Sequence, residues 1–443
     1  MPVSSKTFFS TWQHALQSDF TKDGQPATYF PDHPKHWGSE TAQVDLERSL
    51  ALSLSDDGNL LGASDADGGV RIYDFPSFTL WRTLKGPRSC SSGSVRFQPG
   101  RGKSGKVLVG GELVQGDEWR RWIKSYELKN DDDTEDLFKQ AAGVAASAAV
   151  ETISKSVSKE NIDHTKIRDD FWDTLFEVQL DLGIGDDIFE GSLVGGRAFS
   201  RDGSFFLFSK DDNTIVVLDS ESFQERYTLV GHTDYVVWAE TSPDDTVIAT
   251  SSWDQTVRVW DSTNGQQLQV LTGATCQSWS GAFSPDGKLV CAGCGDSKVR
   301  VWDVESGELL HTLGGFQRWV RSVAFSPDGK SLAGGSESGV LKVFDVVSGK
   351  EKQHWEVKKT IPFRSSFIEV RSVHYTSKGL LVFNYGDGRV HTYDEKTNQK
   401  GLYEHGPEIP SSAGYGTKLI TPDGKLLISA DFDRCIIRIW NLE

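Results

Sequence analysis

Apolar and polar residues alternate in short runs along most of this 443-residue chain. Val257-Arg258-Val259-Trp260-Asp261 and Val299-Arg300-Val301-Trp302-Asp303 are the clearest runs, 42 residues apart. A period of two over four or five residues predicts strands with one buried face. Weaker versions end at Tyr73-Asp74, Tyr126-Glu127, Leu218-Asp219, Phe344-Asp345, Tyr393-Asp394 and Trp440-Asn441, which makes eight units. Ahead of seven of them stands a turn marker. Phe283-Ser284-Pro285-Asp286-Gly287-Lys288 recurs as Phe325-Ser326-Pro327-Asp328-Gly329-Lys330, and Thr241-Ser242-Pro243-Asp244-Asp245 sits one period earlier. Degenerate copies are Ser55-Asp56-Asp57-Gly58, Ser200-Arg201-Asp202-Gly203, Ser377-Lys378-Gly379 and Thr421-Pro422-Asp423-Gly424. Asp-Gly and Asp-Asp between alternating runs supply hairpin turns, where positive φ is needed. Four short strands in some 42 residues cannot bury their own faces. Radial stacking of such sheets around an axis buries them and leaves only short edges.

With Gly231-His232 ahead of Trp260-Asp261, these markers resemble the WD40-repeat β-propeller family over roughly residues 43–443, most specifically over 220–345. The resemblance implies an all-β fold of eight four-stranded blades, with seven as the alternative count. In that family a His, a strand Ser or Thr, a turn Asp and the Trp form a hydrogen-bonded tetrad inside one blade. His232, Thr250, Asp254 and Trp260 match all four positions. Unit five keeps Asp296 and Trp302 but has Ala274 and Ala292 at the other two, and unit six has Phe316, Ser338 and Phe344. Packing must therefore hold most blades.

The last unit lacks an outermost strand, and the resemblance implies that an N-terminal strand completes it. Both Ala27–Phe30 and Trp37–Gln43 suit that task, within an N-terminal region of residues 1–42 that precedes the propeller at 43–443. Before them Phe8, Trp12, Leu16 and Phe20 recur every four residues, which predicts a short amphipathic helix. A longer interruption, 92 residues against 42, separates Glu127 from Asp219. Leu137–Lys159 has helical periodicity behind an acidic start, so a helical insertion over 131–170 is expected within unit two. Trp172–Leu182 then reads as the delayed fourth strand. The resemblance implies that this insertion projects from the face opposite the usual binding entrance.

Charge sharpens this reading. The chain holds 63 acids and 47 bases, a net of −16, and residues 131–190 alone hold 16 acids and 5 bases. A basic partner is thus expected at 131–190, while nucleic acid is disfavoured because phosphate binding needs concentrated Lys and Arg. No apolar run approaches about 18 residues, as a membrane helix would need, and the start lacks the features of a secretory signal. Five scattered cysteines suit a reducing compartment, so a cytoplasmic or nuclear location is expected.

Little in the sequence argues for catalysis. Cys291-Ala292-Gly293-Cys294 has CxxC spacing, but its register puts it on a strand without a second ligand pair, so two buried thiols are expected. There is no P-loop, no Gly-x-Ser-x-Gly elbow and no HExxH, so neither metal nor cofactor is expected. Unit-to-unit matching instead puts Tyr235, Trp253, Trp279, Trp319, Arg321, Glu337, Glu369 and Arg371 on the entrance face. Trp, Tyr and Arg are the types enriched at interface hot spots. The expected function is a non-catalytic scaffold that binds a protein or peptide there. A small-molecule or hydrolytic site in the central channel is the alternative. Trp238 falls to packing between blades.

Overall fold

The computed structural model describes residues 16–30, 40–45, 49–65, 69–84, 94–115, 118–128, 188–357, 369–385, 389–403, 418–431 and 436–442. These form eight successive antiparallel sheets, the blades of a propeller. Blade four is representative, with strands Val236–Thr241, Val247–Ser252, Val257–Asp261 and Gln267–Leu271 in that order from the axis outward.

Both sequence markers act as turn chemistry. In the first, a Ser or Thr hydroxyl donates to the Asp carboxylate two residues on, as in Ser242–Asp244, Ser284–Asp286 and Ser326–Asp328, each at 2.6 Å. The residue after that Asp then takes the left-handed conformation: Gly287 at φ 72°, Gly329 at φ 69° and, where Gly is missing, Asp245 at φ 57°. Only Gly and short polar residues adopt it cheaply. In the second, the acid after the aromatic accepts main-chain N–H groups of the outer turn. Asp261 takes that of Thr263 at 2.7 Å, Asp303 that of Ser306 and Asp345 that of Ser348 at 2.8 Å.

The core is a ring of interblade seams. Trp238 of blade four, 4 % exposed, lies on Gly281 of blade five, where a Cβ would come within 2.5 Å of its ring. First and last blades are joined the same way, through Leu52, Leu61 and Ala63 against Ile428, Ile437 and Ile439. Cys291 and Cys294 are both buried, but they face different seams, Cys291 with blade six and Cys294 with blade four. They therefore cannot share a metal, and burial pushes both thiols up from their ordinary range.

Closure uses Glu40–Asp45, which pairs antiparallel with Ile436–Asn441 and completes blade eight. The other candidate is also a strand, elsewhere: Thr28–Tyr29 adds a parallel fifth strand to Gln399–Tyr403 on blade seven. The helix expected through Leu16 and Phe20 is corrected. Leu16–Ser18 is a fifth strand on the outer edge of blade six, paired with Val357 and Glu356, while Phe8 and Trp12 lie outside the described residues. An open sheet edge offers ladder bonds that an isolated short helix cannot match. Phe20, 1 % exposed, follows it into the seam between blades six and seven.

Two blades depart from the regular plan. The fourth strand of blade two is Ile188–Glu190, paired with Trp122–Lys124. The segments expected to be helical (131–170) and to form that strand (172–182) lie outside the described residues. The second and third strands of blade two, Lys106–Gln115 and Glu118–Glu127, are ten residues each, twice the usual length. Blade three has isolated bridges, Ser192 to Ser209 and Phe199 to Phe206, in place of an innermost strand. Gly196 there, at φ 92°, lies so close to the Ala239 carbonyl that a Cβ would sit 2.6 Å from it.

Candidate functional site

The entrance face carries the loops that lead into each innermost strand and the turns between second and third strands. One main-chain bond sets their mutual position in three consecutive blades. The turn residue donates its N–H to the loop residue's carbonyl: Trp253 to Tyr235 at 2.9 Å, Gly295 to Gln277 at 2.8 Å and Glu337 to Trp319 at 3.0 Å. The aromatic side chains occupy a different one of these positions in each blade. Trp253 is on the turn of blade four, Trp279 at the strand start of blade five and Trp319 on the loop before blade six. Each ring consequently reaches across a blade boundary to the next.

The result is one continuous row. Tyr235 meets Trp253 edge-on at 5.4 Å between centroids, Trp253 meets Trp279 at 5.1 Å, and Trp279 stacks on Trp319 at 5.0 Å. The Arg321 guanidinium lies over both last rings, 4.4 Å from Trp279 and 5.1 Å from Trp319, and its Nε donates to Glu337 at 2.9 Å. A cation over an indole face is attracted by the ring quadrupole, and Glu337 fixes its plane. Tyr235 and Trp319 stay 45 % and 36 % exposed at the two ends, while Trp253 and Trp279 between them are half-buried. Glu369 and Arg371 form an ion pair one blade further on.

Arg121 extends the row at the Tyr235 end, 5.9 Å from that ring, and pairs with Asp211 at 3.3 Å. Unit matching misses it because it lies on the lengthened third strand of blade two, which has no counterpart in the other units. The signal in the sequence is the charged, aromatic run Glu118-Trp119-Arg120-Arg121-Trp122, too long for one regular strand.

Below the row, blade four is fastened by a chain of side-chain bonds. Asp254 accepts at 2.7 Å from His232 Nδ1, which leaves Nε2 to accept from the Thr250 hydroxyl at 2.7 Å. Trp260 Nε1 donates to the same Thr250 oxygen at 3.0 Å. Burial pushes the Asp254 carboxyl up, but the bonds from His232 and Thr256 prevail and hold it well below the ordinary carboxylate range. In blade five Asp296 turns to Arg300 instead, at 2.9 and 2.6 Å, and Trp302 donates to the Thr272 carbonyl at 3.0 Å. In blade six Phe316 packs against Phe344 at 6.1 Å.

Ionisable groups of blades one, three and four are tied to one another. Glu240 pairs with Arg201 at 3.1 Å and Arg197 at 4.0 Å, and Arg197 reaches Asp56 at 3.3 Å. Among the described residues no three His, Cys, Asp or Glu side chains come together as a metal site, and no helix is long and apolar enough to cross a membrane.

No curated protein matches the chain. Three stretches, 223–261, 265–303 and 307–345, match the family described as WD domain, G-beta repeat. They coincide with blades four to six, whose turn markers, tetrad and aromatic row have just been described. Residues 223–345 are WD40 repeats, and they form three of the eight blades of this β-propeller.

Proposed function

We propose that the protein is a non-catalytic interaction scaffold and that the row from Tyr235 to Arg321 is its docking surface for a protein or peptide. The observation that carries this reading is the unbroken contact of Tyr235, Trp253, Trp279 and Trp319, with Arg321 above them. Rings already packed on one another lose little freedom when a partner covers them, so their apolar area converts efficiently into affinity. Glu337, Glu369 and Arg371 supply a polar margin, as a binding surface needs around an apolar centre. WD40 propellers as a class bind proteins, which agrees with this use of the face. The acidic segment 131–190 is a second expected contact, for a basic partner, and 129–187 lie outside the described residues.

A displayed peptide library selected on the whole protein tests the proposal. Peptides that bind the wild type should weaken by about 2 kcal/mol, roughly thirtyfold, on Trp319→Ala or Trp253→Ala. Leu268→Ser, on the outer strand of blade four, should leave them unaffected. Equal binding by folded Trp253→Ala and Trp319→Ala proteins sinks the assignment.

A further inference from the structure

On the face opposite the entrance, we propose that a lysine-lined cleft between blades six and seven binds a small phosphorylated ligand. The cleft has a volume of about 520 Å³ and is bordered by five separate pieces of chain. They are the first turn of blade six at Ser326–Ser331, Lys352 on its outer strand, the first turn of blade seven at Ser377–Gly379, its outer turn at Asp394–Lys396, and Lys22 of the N-terminal hairpin. Volumes of some 300–1,000 Å³ suit small ligands rather than macromolecular faces.

Charge selects the ligand. Lys22, Lys330, Lys352, Lys378 and Lys396 converge here against Asp328, Asp394 and Glu395, a net of +2 within a chain of −16. The carboxylates are largely engaged by their own turns. Asp328 accepts from the Ser326 hydroxyl at 2.6 Å and the Lys330 N–H at 3.1 Å, and Asp394 from the Lys396 N–H at 2.9 Å and Thr397 at 2.8 Å. Glu395 pairs with Lys352 at 2.7 Å. By contrast, the Lys22 ammonium donates to the Lys396 carbonyl at 2.7 Å and that of Lys396 to the Lys378 carbonyl at 3.3 Å. Such bonds orient an ammonium without cancelling its charge, and each retains two further N–H donors.

Lysines without an arginine among them present point charges, not the planar fork that matches a carboxylate bidentately. A phosphate ester brings roughly −1.5 to −2 charges and three acceptor oxygens in one compact group, so one or two of them balance the cleft. Lys22 gives the site a mechanical consequence. It belongs to the segment that straps blades six and seven, so a bound polyphosphate ties that strap to the turns beneath it and stabilises the closed propeller.

Calorimetric titration of the full chain at about 0.1 M salt, where exposed charges are screened beyond about 10 Å, tests this. The probes are tripolyphosphate and inositol hexakisphosphate, with citrate as a carboxylate control and vesicles with or without a phosphoinositide. The expected result is saturable binding of one phosphate probe per chain, lost at least about tenfold in Lys330→Gln/Lys378→Gln and in Lys22→Gln, and unchanged in Leu268→Ser on blade four. Binding to phosphoinositide vesicles without binding of the soluble probes assigns the phosphate to a lipid headgroup. The proposal is overturned by no binding to either source, by citrate binding equally well, or by lysine variants that bind as the wild type does. Because the peptide selection reads the opposite face, failure here is distinguishable from failure of the docking surface.

Discussion

Phe20 is the side chain that makes the N-terminal segment a strap rather than a loose end, and its removal should detach that strap alone. Its ring stacks on Tyr393 at 4.1 Å with an 8° angle between planes, meets Phe383 edge-on at 6.0 Å, and is 1 % exposed. Truncating a buried Phe to Ala costs about 3–5 kcal/mol. Hydrogen bonds tie the same segment to blades six and seven from Thr28 to Asn398, from Phe30 to Lys400 and along the pairing of Leu16–Ser18 with Val357 and Glu356, with Thr21 bound through the Gln353 side chain and the Gln25 carbonyl through that of Asn398. At a net ~1 kcal/mol each these bonds sum to at least as much. Phe20→Ala therefore removes at most about half of what holds residues 16–30 down. Amide exchange of the 16–30 peptide should accelerate by roughly 10²- to 10³-fold, since each 1.4 kcal/mol is a factor of ten. Exchange in blades four and five, far from the strap, should stay as in the wild type. Unchanged protection of 16–30 would refute the reasoning, because a ring so placed cannot be deleted without cost unless the segment is held by something else.

Further outcomes follow from blade four. His232→Ala leaves the Asp254 carboxylate and the Thr250 hydroxyl short of a partner in a buried site and should cost about 3–5 kcal/mol, read as a lower urea midpoint. Asp254 has a depressed folded value, so its contribution is complete above the ordinary Asp value near 4 and is lost as pH falls below that. Between about pH 4 and pH 2 the wild-type midpoint should therefore fall more steeply than that of His232→Ala, and parallel slopes would contradict the assigned bond. Gly281→Ala forces a methyl into the Trp238 ring and should destabilise by about 1–3 kcal/mol; a neutral effect in thermal melts would mean that the seam is looser than it stands.

Much of the fold is local chemistry and is legible in the sequence for that reason. The Ser-x-Asp turns, the left-handed residue after them and the strand-end markers are each complete within a few residues, so eight strand ends, seven of them behind a turn marker, announce eight blades. The tetrad spacing within blade four is readable likewise. Three features are not local, and tertiary structure alone decides them. Leu16 and Phe20 are four apart, a spacing that a helix and an edge strand with a buried anchor accommodate equally; the free edge of blade six made the choice. Ala27–Phe30 and Trp37–Gln43 are both competent strand formers, and which one closes the ring depends on which blade edge each can reach. The aromatic row joins residues at three different register positions, and Arg121 enters it from blade two. Repeat matching compares like positions in successive units, whereas contact across a blade boundary brings unlike positions together. The repeat thus announces the scaffold from sequence, and only the curvature of the assembled ring sets which side chains meet on its face.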